Sequence, residues 1–389
     1  MTSPIPRALD DAPTTAPHSL PAWVYNHPEM TRLELERILK PSWQIACHVS
    51  QIPSAGDYVT FELGNDSVIV LRDAGGAIRA LHNTCRHRGT RLLEGSGRCL
   101  GRITCPYHGW TYRYDGSLLA TPARDSFPDL DLRQHGLGTV RLEVALGFVW
   151  VCLGADAPPP PSQIWAPIVE ELAPYRLEEL VPTQPLFREE WQADWKIAMD
   201  NYLESYHVPI GHPGLSRMFT PDYEDQRSVP GIARGISWMR ATPSSRWSER
   251  LYQKYVGEVT AAHLPERERR SWRFYSCLPN HGIDIFPEQV DFFQVLPRGP
   301  GKALIRSASF GLPDERREMR LVRWLGNRIN MQVNDEDRAL CERLQRGIAD
   351  SHYRPGPLSQ IETWMLAFHN LLRARIPEVR LPSAPARFS

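Results

Sequence analysis

Four residues in two short loops offer a metal site. The segment from His82 to Trp110 reads HNTCRHRGTRLLEGSGRCLGRITCPYHGW and contains Cys85-x-His87 and, after an interval of 17 residues, Cys105-x-x-His108. Each loop presents one thiolate and one imidazole. Zinc sites with two cysteines and two histidines usually pair like with like, on a hairpin and a helix. The mixed pairing suits instead a [2Fe–2S] cluster in which two cysteines hold one iron and two histidines the other, which raises the reduction potential to about −150 to +300 mV. Such a centre accepts single electrons. Gly89 and Gly109 permit tight backbone next to the ligands, and Pro106 stiffens the second loop. Cys99 lies between the loops without a histidine at the same spacing, and it reads, with Cys47, Cys152, Cys277 and Cys341, as a small apolar residue.

A second set follows in residues 200–214, DNYLESYHVPIGHPG, with Glu204, His207 and His212. Helical patterning is predicted over 188–206, which would put Glu204 and His207 on one face. Five further residues would turn His212 about 140° away from that face. Pro209 and Gly211 are therefore expected to end the helix and let His212 return from the loop. A carboxylate would complete a two-histidine, one-carboxylate triad whose open positions suit non-haem Fe(II) and dioxygen. The segment NDEDRALCERLQRG, from residue 334, offers Asp335 and Asp337 in the first turn of a helix predicted over 335–349, with Asn334 or Asp335 as its cap. Acids there also serve simply as caps and dipole partners.

These residues need two kinds of scaffold. Between Pro41 and Gly154, runs such as DYVTFELG, SVIVLRD and ALGFVWVCLG alternate with turn residues, which predicts a small all-β domain over 41–156. Prolines 158–161 form a stiff linker, placed at 157–163. Beyond it, strands VDFFQVLP and KALIRSASFGL lie among helical patterns at 188–206, 314–332 and 335–349, giving an α+β second domain over 164–389. Residues 1–18 read as a mobile tail, and 19–40 as a helical segment, amphipathic over EMTRLELERILK, that packs on the second domain.

Composition sets further bounds. Lys plus Arg and Asp plus Glu both number 45 in the 389 residues, so no global field favours nucleic acid or an anionic membrane. No apolar run reaches the ~20 residues of a membrane span, and no signal-like segment opens the chain, so a cytoplasmic protein is expected. There is no G-x-G-x-x-G after a strand, and thus no nicotinamide or flavin site is expected in the chain itself.

C-R-H-R-G and C-P-Y-H-G-W resemble the two cluster loops of the Rieske non-haem iron oxygenases. D-N-Y-L-E-S-Y-H-V-P-I-G-H and PGPLSQIETWMLAFH, residues 355–369, extend the resemblance over nearly the whole chain, to the oxygenase α subunits and within them to the choline, betaine and carnitine monooxygenase branch. The resemblance implies a Rieske domain followed by a helix-grip catalytic domain, an antiparallel sheet with a long C-terminal helix. It implies Cys85, His87, Cys105 and His108 as cluster ligands, and His207, His212 and Asp337 as ligands of a mononuclear iron. Asp337 matches the family position better than Asp335, given Leu340 and Gln345 downstream. Glu204, where many ring-hydroxylating relatives carry aspartate, is implied as the catalytic bridge from His207 to His108 of the next subunit in a head-to-tail homotrimer. Electrons would come from NAD(P)H through a separate reductase or ferredoxin. The expected reaction is hydroxylation or oxidative dealkylation of a quaternary amine, an N- or O-methyl compound or an aromatic acid, as a monooxygenase, with an aromatic-ring dihydroxylating dioxygenase as the alternative. A non-catalytic electron carrier and a zinc-stabilised module are more remote readings. Trp191, Trp195, Tyr202, Trp238, Phe286, Phe292 and Phe293 could cage an ammonium group, although most are expected to pack the core.

Overall fold

The computed structural model describes residues 17–156, 158–220, 224–225, 229, 231–259 and 264–388. The expected tail lies outside them except for Pro17 and His18, which are tied down: Leu358 N–H donates to the Pro17 carbonyl at 2.8 Å, and His18 bridges Pro357. The chain forms two compact units. One spans residues 39–163; the other joins residues up to 38 with those from 164 onward.

The first unit is built from three small antiparallel sheets. Strands β1 (Gln44–His48), β9 (Arg141–Ala145) and β10 (Phe148–Cys152) pair in the order β1-β10-β9; β2 (Asp57–Leu63), β3 (Asp66–Arg72), β4 (Ile78–His82) and β5 (Ser96–Arg98) pair as β4-β3-β2-β5; and β6 (Ile103–Thr104), β7 (Thr111–Tyr112) and β8 (Leu118–Ala120) form the third. The central strand β10, FVWVC, is buried at every residue, which suits its unbroken apolar run. Ile69, Leu71, Leu81, Trp110, Tyr112 and Leu118 make a core that also encloses Cys85 and Cys105. The proline run ends by starting a helix, Pro161–Trp165, with a proline in its first position.

The second unit carries one antiparallel sheet of eight strands: β11 (Val181–Pro182), β12 (Phe187–Trp191), β13 (Glu224–Asp225), β14 (Ile232–Trp238), β15 (Ser271–Cys277), β16 (His281–Ile285), β17 (Val290–Gly299) and β18 (Lys302–Gly311). The order is β11-β18-β17-β16-β15-β14-β13, with β12 also paired to β18. The strands expected at VDFFQVLP and KALIRSASFGL are present as β17 and β18.

Three helical expectations are corrected. Residues 187–191 are strand, because their side chains alternate in exposure along the sheet edge. The helix begins only at Trp195, where Asp194 caps it by accepting from Lys196 N–H at 3.0 Å, and it stops at Tyr202. Glu204 and His207 therefore share no helix face. Finally, the helices expected at 314–332 and 335–349 are one, Arg317–Ile348, so Asp337 lies in its interior rather than its first turn, and Asn334 and Asp335 cap nothing. Met319, Val322, Leu325, Ile329, Cys341 and Ile348 give this long helix a buried stripe that overrides the local cap preference of Asn and Asp.

Residues 28–38 do form helix, in the second unit. Glu34 accepts from Trp195 Nε1 at 2.7 Å and from Lys196 Nζ at 2.5 Å, and Lys196 also pairs with Asp194 at 2.5 Å. That buried network fixes the start of the helix Trp195–Tyr202, which leads directly to Glu204 and His207.

Candidate metal centres and substrate cavity

The two cysteine loops close in the same way. Gly89 N–H donates to the Cys85 carbonyl at 2.9 Å and Gly109 N–H to the Cys105 carbonyl at 3.0 Å, so in each loop a glycine four residues after the cysteine closes the turn. Each cysteine N–H then donates to the residue after that glycine, Thr90 at 2.9 Å and Trp110 at 2.8 Å. Both glycines are left-handed, with φ of 80° and 72°, where a Cβ is penalised. The unequal Cys–His spacings are absorbed inside this common frame. The imidazoles converge, Nδ1 of His87 lying 3.2 Å from Nδ1 of His108, while His87 stacks on Trp110. Backbone N–H groups of Tyr107 and His108 point at the Cys105 sulfur; burial pushes that thiol up, but these bonds, together with those from the Cys85 and Thr90 side chains, hold it below its ordinary value. Tyr112, which the sequence did not single out, sets its hydroxyl 3.3 Å from Cys85 Sγ while accepting from Arg86 N–H at 3.0 Å. Two sulfurs and two converging ring nitrogens fit a [2Fe–2S] group, and a hydroxyl beside a ligand sulfur is one lever on its potential.

The second centre assembles from the segment after the helix Trp195–Tyr202 and from the long helix. Nε2 of His207 lies 3.1 Å from Nε2 of His212, and Asp337 Oδ1 lies 2.9 Å from His212 Nε2 and 3.5 Å from His207 Nε2. One donor atom from each of the three falls within 4.8 Å of the others. Asp337 Oδ1 is buried and has no well-formed hydrogen bond, so these groups are aimed at a common point rather than at each other. Each imidazole is steered through its other nitrogen: His207 Nδ1 meets Glu204 Oε1 at 2.5 Å, and His212 Nδ1 meets Glu336 Oε2 at 2.8 Å. Carboxylates in that position fix the tautomer and sharpen the basicity of a histidine ligand. Glu336 was missed from the sequence; it is the neighbour of Asp337 and becomes informative only once the helix direction is known. Gly211 has a packing reason, since a Cβ there would come within 2.9 Å of Leu340 Cδ1.

The electrostatics agree with this geometry. Burial disfavours charge on His207, yet Asp337 and Glu204 more than offset it and hold its pKa at about 9. His212 is raised against the same burial by Asp337 and Glu336. For Asp337, burial acts upward but the two histidines draw it below its ordinary value. A donor set that attracts protons this firmly also favours a divalent cation in their place, and two imidazoles with one carboxylate, leaving open positions, suit Fe(II). Asp335, by contrast, is exposed and paired with Arg338.

Next to Asp337 lies a cavity of about 500 Å³, walled on one side by β15 to β18 and on the other by the helix Trp195–Tyr202 and the long helix. On the long helix the apolar stripe gives way here to Asn327, Asn330, Asn334 and Asp337, which line the cavity. Of the aromatic residues singled out from the sequence, Trp191, Tyr202, Phe286 and Phe293 line the cavity, joined by Trp272 and Phe274. The others are used elsewhere. Trp195 packs on Phe368, Phe292 lies under Arg306, and Trp238 lies under Arg267.

An iron–sulfur fold followed by a sheet and long helix that gather two histidines and an aspartate defines the oxygenase subunit of a two-centre iron enzyme. The chain belongs to that family: residues 179–378 match the ring hydroxylating alpha subunit catalytic domain, and residues 42–135 the Rieske [2Fe-2S] domain. It is an oxidoreductase carrying a [2Fe–2S] cluster and a mononuclear iron, so the electron-carrier and zinc-module readings fall. Among its relatives, the glycine betaine monooxygenase oxygenase subunit of Chromohalobacter salexigens is 33% identical over 88% of this chain and 82% of its own. The chloroplastic choline monooxygenase of Spinacia oleracea is 29% identical over 90% and 77%. In fold the chain is similar to the quaternary ammonium Rieske monooxygenase CntA in complex with L-carnitine, with TM-score 0.76, 23% identity and coverage of 92% and 96%. A naphthalene 1,2-dioxygenase from Rhodococcus sp. aligns at TM-score 0.72 and 21% identity over 91% and 93%. Among the described residues, no helix is long and apolar enough to cross a membrane.

Proposed function

We propose that this chain hydroxylates a carbon bound to the nitrogen of a small quaternary or N-methylated ammonium compound, releasing the alkyl group as an aldehyde. The observation that carries this reading is the aromatic-walled cavity beside Asp337, whose ring faces suit an alkylated cation; the betaine and choline monooxygenases among the relatives support it. The overall balance takes one dioxygen, two electrons and two protons, placing one oxygen atom in substrate and the other in water. Cys85, His87, Cys105 and His108 would hold the cluster, and His207, His212 and Asp337 the mononuclear iron. Once bound, the two groups supply single-electron delivery and dioxygen activation. Glu204 and Glu336 hold the imidazoles in one tautomer and orientation, and the aromatic wall excludes bulk water from the substrate.

Glu204 would also bridge the centres, accepting from its own His207 and from the partner subunit's His108 in a head-to-tail homotrimer. Exposed apolar residues flank both centres, with Tyr107 beside His108, and Tyr206 and Ile210 beside His207. Such edges suit burial against another copy. A separate reductase or ferredoxin fed by NAD(P)H would supply electrons, and a cytoplasmic setting suits such a partner. Single turnover is the test: reduce the protein, remove reductant, then admit labelled dioxygen with quaternary amines, N- and O-methyl compounds and aromatic acids. Labelled product from the ammonium members alone is expected. Label in an aromatic diol would transfer the chain to the dihydroxylating class.

A further inference from the structure

Two carboxylates face each other across the cavity wall. Asp284 on β16 is the direct cross-strand neighbour of Asp291 on β17, and the row continues to Phe274 on one side and Ser309 on the other; all four line the cavity. Like charges set opposite each other weaken a sheet, and desolvation adds to the cost. Their donors are neutral. Asp284 accepts from the Tyr202 hydroxyl at 2.6 Å, while Asp291 accepts from the Gln289 amide at 3.0 Å and from Asn330 at 3.5 Å. No Lys, Arg or His occurs among the described residues that line the cavity. Burial pushes Asp284 up to about 7 and Asp291 well above its ordinary value, so the pair is short of positive charge.

Aromatic faces stand around these acids. Tyr202 lies against Gly282, where a Cβ would come within 2.1 Å of its hydroxyl, and its ring centroid is 4.6 Å from that of Phe293. A quaternary ammonium offers no hydrogen-bond donor, so it is recognised by such faces and by nearby negative charge. Asn327, which shares the Gln289 amide with Asp291, has its own Nδ2 buried without a partner.

We propose that Asp284 and Asp291 recognise the ammonium group of the substrate, and that the remainder of the substrate is uncharged, as in an N-methylated amino alcohol. Apart from the iron that Asp337 would help to hold, the described lining offers amides to a hydroxyl but no basic side chain to a carboxylate, so betaines are disfavoured. The proposal rests on the ammonium reading above and narrows it.

Calorimetric titration of the holoenzyme with choline, its neutral tert-butyl isostere and glycine betaine tests it, in the wild type and in the D284N, D291N and double variants. Choline is expected to bind roughly tenfold or more tighter than either competitor, a difference of about 1.4 kcal/mol. The double variant should lose most of that preference over the isostere while binding the isostere as well as before, which shows the cavity intact. If it fails to retain iron, the single variants carry the same comparison. A variant that binds the isostere normally and keeps the full preference for choline overturns the recognition role and leaves the ammonium reading standing. Betaine binding as tightly as choline overturns the uncharged remainder. A wild type that binds no ammonium compound overturns the proposal together with the reading beneath it.

Discussion

Glu204 grips His207 twice, through the ring Nδ1 at 2.5 Å and the backbone N–H at 3.1 Å. Glutamine is the same size and keeps one acceptor, but it loses the charge that holds the ring basic. Glu204→Gln is expected to retain iron and cluster by metal analysis and visible absorption, while steady-state turnover falls by about 10–100-fold or more. Undiminished turnover would remove the bridging role. Asp284 gives a pH-dependent prediction. Its pKa in the folded protein, about 7, lies above the ordinary carboxylate value. Folding therefore favours its protonated form, and the stability this provides is complete below about pH 4 and lost as pH rises through 7. Asp284→Asn should melt like wild type near pH 4 and be more stable above pH 7. Water reaching the cavity screens the charge, so the gain is on the order of 1–2 kcal/mol. Melting curves that stay parallel across that range would refute it.

At the scale of elements, the helix Trp195–Tyr202 depends on polar anchors at its start. Lys196 is fully buried between Glu34 and Asp194. Replacing it with methionine keeps the volume but leaves two acids without their cation, a loss of about 3–5 kcal/mol of stability. Denaturant unfolding followed by far-UV circular dichroism would read it, and a change below about 1 kcal/mol would mean the acids simply take up protons. The same helix shows why the sequence was misread around it. Its pattern was extended backwards over a sheet-edge strand and forwards over Glu204, because local periodicity does not report where Asp194 caps or where the sheet recruits a neighbour. The long helix reads as two for the opposite reason: Asn334 and Asp335 resemble a cap, whereas in the fold Asn334 and Asp337 line a cavity in mid-helix.

For the whole molecule, the expected assembly is a particle three times the 44.4 kDa chain. Ile210, 87% exposed, lies three residues beyond His207. Ile210→Glu should dissociate the trimer in sedimentation, leave both metal sites filled and abolish turnover, although the cluster still accepts an electron from a chemical reductant. A monomeric variant with normal turnover would show that electrons pass within one chain. The zero net charge fits this arrangement, since docking then relies on local apolar edges rather than a global field.

The candidate ligands were legible from sequence because metal chemistry demands particular atoms at short separations. Cys85-x-His87, Cys105-x-x-His108 and His207 with His212 each fall within a few residues. The β runs of the first unit were legible for a similar reason, each being a local pattern between turn residues. What lies far apart in the chain needed the fold. Asp337 could not be separated from Asp335 by residue type, and only the direction of one continuous helix turns it, and not Asp335, towards the histidines. Glu336, Tyr112 and the Asp284–Asp291 pair carried no local signal at all. Their roles arise from strand register and helix phase, which are set by burial of apolar faces across the whole domain and cannot be read from any short stretch of it.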